Sequence, residues 1–566
     1  MLKVKGKGAS PGTALGTAFV LKSRDFHFSE LKNYESGREL LRWKTAHAAL
    51  LIELKSLKEK FETDAPVETR QVIEAHQMMA EDPEWTSQIE AFISQGHQCE
   101  YAVHKASEDF AQMIEALDDP YLRQRAQDIR DVAKRVFEAL DSQVNQSASK
   151  NEDYILVAED LLPSDLLSLY SKHLKGIVLE KGNPTSHTTI LTRTFEIPLV
   201  LKVDSLMKQV RSGEELAVDG LKGSLVIAPT LDEKEFYKNQ ILSERRDLDE
   251  LARYTHVESV TTDGVKIEVA SNLNSAMDLD FALRKGTEGV GLFRTEFLLM
   301  DRRQSPSEDE QFQIYKKVVE SLKPHRTVIR TFDIGGDKQV EYLKLPKEEN
   351  PFLGCRGIRF CLKEKEFFKV QLRALLRAAQ FGHLGIMIPM LSRIEELLEF
   401  KELLRSCSDE LKGRGEVLSA TPEIGIMIEV PSAALIADQL AEHLDFMSVG
   451  TNDLVQYFCA ADRMNSAVAD LHDSYHPGLI RLLKHISESV KGKNVWLGMC
   501  GELAAQEDYI PLLIALGFTE LSVSPGALLR TRRAILSNSK KASAAFLDGA
   551  LSAKSSTELK SILSKN

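Results

Sequence analysis

The chain has 566 residues, 43% of them apolar and 28% charged, with a formal net charge of −12. That length exceeds what one hydrophobic core can organise, so roughly two to four domains are expected. The acidic balance excludes a general nucleic-acid binder, which needs a broad basic face, but leaves room for a small anion held by a few local arginines.

The opening, "MLKVKGKGASPGTALG", lacks the apolar core of a secretory signal, and no apolar run reaches the length of a transmembrane helix. No membrane insertion is expected. The six cysteines (99, 355, 361, 407, 459 and 500) form no CxxC pair. Neither a disulfide framework nor a zinc site is suggested, and a cytoplasmic location is the simplest reading.

The first stretch, 1–27, reads as short strands punctuated by Gly and Pro. From 28 to 146 apolar residues recur at helical spacing and Gly nearly vanishes, as in "ELLRWKTAHAALLIELKSLKEKFE". Four helices are expected there. His76, in "IEAHQMMAEDPEW", is expected at a surface or an interface. Strand–helix alternation returns over 147–230 with "YILVA", "PSDLLSLYSKH", "GIVLE", "PLVL", "ELAVDG" and "SLVIAP". The helical block is therefore expected as an insertion into an α/β domain. The charged stretch 231–258, "LDEKEFYKNQILSERRDLDELARYTH", reads as a linker helix.

From 259 to 566 short apolar runs alternate with polar tips and helical patterns. The runs are "KIEVAS", "GVGLFR", "TVIRTF", "GIMIPM", "GIMIEV", "FMSVG", "VWLGM" and "ELSVS". Eight such units predict a (β/α)8 barrel, whose chemistry sits past the C-terminal ends of its strands. Those tips carry Arg294, Arg330, Glu429, Asn452, Asp453 and Cys500, with Arg356 and Arg463 on intervening loops. Guanidinium forks match carboxylate and phosphate oxygens, and two carboxylates suit Mg2+, which keeps waters and takes phosphate oxygens. A small, multiply anionic ligand with a divalent metal is expected. Cys500 alone is as readily a small buried apolar residue. "DIGGDK" lacks the Walker A spacing and by itself predicts only a tight loop.

In "KGNPTSHTTI" a lone imidazole, His187, stands between a strand pattern and a helix pattern, flanked by small hydroxyl residues. Such residues cap helices, and a helix start favours anions. A histidine there can accept a phosphoryl group, or can be a plain surface residue beside a cap.

Taken together, "SPGTALGTAFVL", "AHQMMAEDPEW", "TSHTTILTR", "GVGLFRTEFLLMDR", "IRTFDIGGDK", "NPFLGCRGIR", "IMIEVPSA", "GTNDLVQYFCAADR" and "GMCGELA" resemble, in order and over nearly the whole chain, the enzyme I family of the bacterial phosphotransferase system. The resemblance implies a multi-domain α/β chain. A swivelling phosphohistidine domain would carry an inserted helical subdomain that docks the phosphocarrier protein HPr, and a phosphoenolpyruvate-binding (β/α)8 barrel would form a homodimer. It implies that His187 is phosphorylated on Nε2. Arg294, Arg330, Arg356 and Arg463 would hold phosphoenolpyruvate with help from Asn452. Glu429 and Asp453 would ligate Mg2+, and Cys500 would protonate the product carbon.

The chain departs from the family pattern in places. Gly182-Asn183-Pro184 stands where the family reads G-G-x. Leu162 replaces the Thr of "D-L-T-P-S", and Ala505-Gln506 replaces Gly-Asp. Pro184 fixes its own φ and removes an N–H donor. Three other readings compete with this one. A dikinase would need a large ATP-grasp domain, which about 118 inserted residues do not supply. A phosphoenolpyruvate-sensing regulator is motivated by the altered histidine loop. An enzyme I feeding a regulatory relay is the third; a GAF-like domain before residue 1, the commonest signature of that branch, is not expected.

Overall fold

The computed structural model describes residues 2–21, 33–61, 67–115, 120–140, 152–183, 187–274, 278–299, 304–336, 340–343, 348–463, 465 and 467–564. Two compact units divide between Asp249 and Glu250.

In the first unit, strands β1 (Leu2–Lys5), β2 (Lys7–Ser10), β3 (Thr13–Leu21), β4 (Tyr154–Ala158), β5 (Leu174–Leu179), β6 (Leu199–Leu201), β7 (Glu215–Asp219) and β8 (Ser224–Ile227) form one mixed sheet in the order β1-β8-β7-β3-β4-β5-β6-β2. β3 and β4 pair in parallel from Thr17↔Tyr154 to Leu21↔Ala158, although the helical block lies between them in sequence. That pairing makes the block an insertion: removing it leaves the sheet continuous. Every residue of β4 is buried, which explains why "YILVA" shows no alternation.

The inserted block has five helices among the described residues: α1 (Ser36–Lys60), α2 (Val67–Ala80), α3 (Pro83–Ser94), α4 (Cys99–Glu115) and α5 (Pro120–Leu140). The expectation of four is corrected at "EDPEW". Asp82 caps a new helix by accepting from the N–H groups of Glu84 and Trp85, and Pro83 takes the first helical position, where its missing N–H costs nothing. Trp43 of α1 and Trp85 of α3 meet edge to face at 5.6 Å and anchor the block's core. His76 is not on a surface. It is 1% exposed, with Nε2 3.7 Å from Asp128 and from Asp131 of α5.

Three further helices, α6 (Pro163–Leu169), α7 (His187–Thr194) and α8 (Leu206–Gln209), connect strands of the sheet, and α9 (Leu231–Ala252) follows it. Tyr237 of α9 packs on Ala217 and Val226, and Glu244 accepts from the N–H and hydroxyl of Thr13.

The second unit is a closed barrel of eight parallel strands: β9 (Glu268–Leu273), β10 (Val290–Arg294), β11 (Arg326–Arg330), β12 (His383–Ile388), β13 (Glu423–Ile428), β14 (Phe446–Val449), β15 (Trp496–Met499) and β16 (Glu520–Val523). Each falls on one of the eight apolar runs. Leu292, Val328, Met387, Met427, Phe446 and Cys500 fill the barrel interior. Phe446 stacks on Trp496 at 4.5 Å, and its ring lies over its register partner Gly425. A Cβ on Gly425 would come within 2.4 Å of that ring. The interior is thus a packed floor beneath the C-terminal mouth. No described helix is long and apolar enough to cross a membrane.

Candidate active site

β10 and β11 are parallel neighbours, and their last residues, Arg294 and Arg330, are register partners. Two arginines therefore start side by side at the mouth. Arg330 is buried. It donates to Glu296 Oε1 at 2.5 Å and lies 3.2 Å from Asp333 Oδ2. Burial alone would lower its pKa, but Glu296, Asp333 and Glu429 outweigh burial and raise it. Arg294 is half-buried and donates to Asn274 Oδ1 at 3.1 Å. Burial and the neighbouring Arg330 charge hold its pKa down.

Arg356 is wholly buried, which for a guanidinium demands full pairing. Its Nε and Nη2 donate to the two oxygens of Asp333 at 2.9 and 3.0 Å, and Nη2 also donates to Asp453 Oδ2 at 3.0 Å. The double glycine of "DIGGDK" permits this. Gly335 and Gly336 have φ of +106° and +68°, and a Cβ on Gly335 would press on Cys355 O at 2.7 Å and on the Arg356 Cα at 3.0 Å. Arg463 is half-buried, with Nη1 3.6 Å from Asp453 Oδ1. Burial would raise the Asp453 carboxyl, but Arg356 and Arg463 outweigh it and hold it below the ordinary range.

Glu429 follows β13 directly and is 1% exposed. Its Oε1 accepts from the Met390 N–H at 2.6 Å, while its buried Oε2 has no hydrogen-bond partner among the described residues. Burial, with Asp453 and Asp333 nearby, pushes its pKa up to about 8. An orphaned carboxylate oxygen close to a second, ionised carboxylate fits a hard divalent cation. Among the described residues no group of three metal-capable side chains assembles, so such an ion would complete its shell with waters and ligand oxygens. Asn452 is turned aside: its amide donates to Glu502 Oε1 at 3.2 Å and its Oδ1 accepts from the Glu502 N–H at 3.1 Å. Cys500 is buried beneath this group. Burial pushes its thiol up to about 11, so it stays protonated at neutral pH.

A connected set, Arg330–Asp333–Arg356–Asp453–Arg463, with Glu429 and Cys500 below it, thus occupies one end of the barrel. Three family models match the chain in order. These are the N-terminal domain of PEP-utilising enzymes over 5–125, their mobile domain over 150–223 and their PEP-binding domain over 248–540. The chain is 40% identical to the phosphoenolpyruvate-protein phosphotransferase of Staphylococcus carnosus (strain TM300), over 94% of each chain. It is also 40% identical to that of Bacillus subtilis (strain 168), over 99% of this chain and 98% of that one. The chain belongs to the phosphoenolpyruvate-protein phosphotransferase family. A solution structure of an Enzyme I protein, 31% identical, covers 43% of this chain and 99% of its own with a TM-score of 0.38.

In the first unit, His187 opens α7. Pro184, Thr185 and Ser186, which the sequence reading singled out, lie outside the described residues. Beside His187, Thr188 Oγ1 donates to Leu161 O at 2.7 Å and Thr189 Oγ1 donates to Asn183 O at 2.8 Å, so α7 is tied to the segments before it. Leu162 stands at the N-cap of α6 and offers no side-chain cap. Asp131 of the inserted block supplies part of what is missing, accepting from the Ser164 hydroxyl and, at 3.4 Å, from its N–H. Arg135 donates to Ser164 O at 2.6 Å, and Lys134 to Asp165 at 2.8 Å. Three residues of α5 thereby clamp the first turn of α6.

The sequence reading missed two carboxylates, Glu296 and Asp333. Both were visible, two and three residues after strand-tip arginines in "RTEF" and "RTFDIGG". A buried guanidinium needs an anion, and that requirement is the signal that would have found them.

Proposed function

We propose that this chain takes the phosphoryl group of phosphoenolpyruvate onto His187, releases pyruvate, and passes the group to a histidine of HPr, the first step of the phosphotransferase system. The observation that carries the proposal is the wholly buried Arg356, held by Asp333 and Asp453 at the mouth of the barrel. Its Nη1 is held only at 3.4 Å, by Asp453 Oδ1 and the Tyr457 hydroxyl, so this nitrogen can turn its donors to an incoming anion while Asp333 keeps the group fixed.

In this reading Arg294, Arg330, Arg356 and Arg463 hold the phosphate and carboxylate of phosphoenolpyruvate. Asn452 adds a hydrogen bond once its amide leaves Glu502. Glu429 and Asp453 would hold Mg2+, which supplies charge neutralisation at the transferring phosphoryl group. The His187 Nε2 lone pair forms the N–P bond. The bridging P–O bond breaks, and its electron pair remains on the enolate oxygen of pyruvate. The Cys500 thiol gives its proton to the enolate carbon, and the thiolate recovers one from solvent. A thiol held up to about 11 is an acid still carrying its proton at neutral pH, which this step requires.

The inserted helices, 28–146 in the expected division, dock HPr. Their clamp on α6 supports a fixed placement of that docking face relative to α7. The domain of 1–27 and 147–230 swivels on the helix of 231–258 between HPr and the barrel, and the barrel of 259–566 forms the homodimer. The location is cytoplasmic, in keeping with six thiols that form no disulfide. Labelling with 32P-phosphoenolpyruvate tests the proposal: acid-labile label on the wild type and none on His187→Ala is the expected result.

A further inference from the structure

Beyond Arg294, β10 gives way to the single turn of 3-10 helix Glu296–Leu298, while the neighbouring chain runs on through Thr331, Phe332 and Asp333. The parallel ladder between the two strands stops there. Arg330 O and Phe332 N–H would then be left buried without a strand to bond to, which folded proteins rarely tolerate. Two side chains take the place of the missing strand. Thr295 Oγ1 donates to Arg330 O at 2.8 Å, and Gln371 Oε1 accepts from the Phe332 N–H at 3.1 Å. Gln371 Nε2 closes the bridge by donating to Thr295 Oγ1 at 3.1 Å. Thr295, Thr331, Phe332 and Gln371 are all fully buried. Beyond them Tyr315 and Gln311 carry the network away from the mouth.

The clamped segment begins with Arg330 and ends with Asp333, the carboxylate that fixes Arg356. We infer that Thr295 and Gln371 are positioning residues for phosphoenolpyruvate: together they act as a side-chain extension of the barrel ladder that sets the backbone of 330–333, and through it the guanidinium groups of Arg330 and Arg356. Neither residue needs to touch the ligand. The inference rests on the proposed phosphoenolpyruvate site.

The test measures the dissociation constant of phosphoenolpyruvate with Mg2+ by titration calorimetry. It uses the full-length chain carrying His187→Ala, so that no transfer occurs. Thr295→Val and Gln371→Met keep volume but remove the bridge, and each is expected to weaken binding about ten-fold, the effect of one lost buried hydrogen bond. Thr295→Ser, which keeps the hydroxyl, is expected to stay within about two-fold, and so is Gln311→Met, which disturbs the outer network only. Unchanged affinity in folded Thr295→Val or Gln371→Met overturns the inference. So does equal weakening by Gln311→Met, because that would be general loosening. If Thr295→Val does not fold, Gln371→Met against Gln311→Met decides. Failure of the His187→Ala parent to bind phosphoenolpyruvate overturns the proposed site itself, and is seen before any clamp variant is compared.

Discussion

Arg356 and Asp333 form a two-pronged ion pair, 2.9 and 3.0 Å, with both side chains wholly buried beneath the barrel mouth. Because Asp453 already serves as the second anion for Arg356, Asp333 is the residue that fixes the plane of the guanidinium. Asp333→Asn keeps the shape and removes the charge. Breaking one side of such a buried pair costs about 3–5 kcal/mol. The variant is expected to lower the urea midpoint clearly and to weaken phosphoenolpyruvate binding at least about ten-fold. Denaturation and calorimetry on one preparation check both effects.

Cys500 separates binding from chemistry. Its thiol is part of the barrel's apolar floor, and among the described residues it makes no ion pair that an arginine depends on. Cys500→Ala is expected to leave the dissociation constant of phosphoenolpyruvate within about three-fold of wild type while slowing pyruvate release about 10²–10⁴-fold, the usual contribution of a positioned acid. Rapid-quench measurement of pyruvate beside calorimetry reads the two separately. Equal losses in both would place Cys500 in packing alone.

At the opposite end of the barrel, Glu268, Glu423 and Glu520 share one guanidinium. Arg326 lies 3.8 Å from Glu268, 3.4 Å from Glu423 and 3.8 Å from Glu520, while His383 meets Glu423 at 3.0 Å. Both oxygens of Glu520 are buried without a hydrogen-bond partner among the described residues. Burial, with Glu268 beside it, pushes Glu520 up to about 8. The folded state therefore holds a proton that the unfolded chain loses near the ordinary carboxyl range. The stability from that proton is full below about pH 4, where both states are protonated, and is lost as pH rises toward 8. Glu520→Gln keeps a neutral group at every pH. Its melting temperature relative to wild type is expected to climb between pH 5 and 8.5, reaching about 5 °C or more. Scanning calorimetry across that range checks the slope, and a constant difference would mean that Glu520 does not hold the proton.

The orphaned Oε2 of Glu429 gives a metal prediction. Phosphoryl transfer is expected to stop in excess chelator and to return with Mg2+. Glu429→Gln and Asp453→Asn are each expected to raise the Mg2+ concentration needed for half-maximal transfer by about ten-fold or more. Titrating Mg2+ into chelator-treated enzyme measures this directly.

The barrel was legible because parallel strands buried on both faces read as uninterrupted apolar runs. "GIMIPM", "GIMIEV" and "FMSVG" have no other economical reading once eight repeat. The arginines were legible because a charged residue directly after such a run has to sit at the mouth. What holds them was not. Asp333 looked like a loop residue, and Gln371 sits in a helix whose buried face otherwise carries Phe368, Leu372 and Leu375. A polar side chain is needed at that position because the strand beside Arg330 ends early, and strand ends are the least readable feature of a sequence. The fifth helix was missed for a related reason. Asp82 and Pro83 start a helix as well as interrupt one, and apolar spacing runs through both. His76 lies on the buried side of α2 because α5 packs over it, a fact of tertiary placement that helical periodicity does not carry.

The central claim is that His187 carries phosphate from phosphoenolpyruvate. The most direct measurement is incorporation of 32P from labelled phosphoenolpyruvate into the full-length chain, with and without Mg2+, for wild type and His187→Ala. The account predicts acid-labile, Mg2+-dependent label on the wild type, none on the variant, and passage of that label to added HPr. Wild-type chain that binds phosphoenolpyruvate yet takes no label, or a His187→Ala chain that labels as well as wild type, would contradict it.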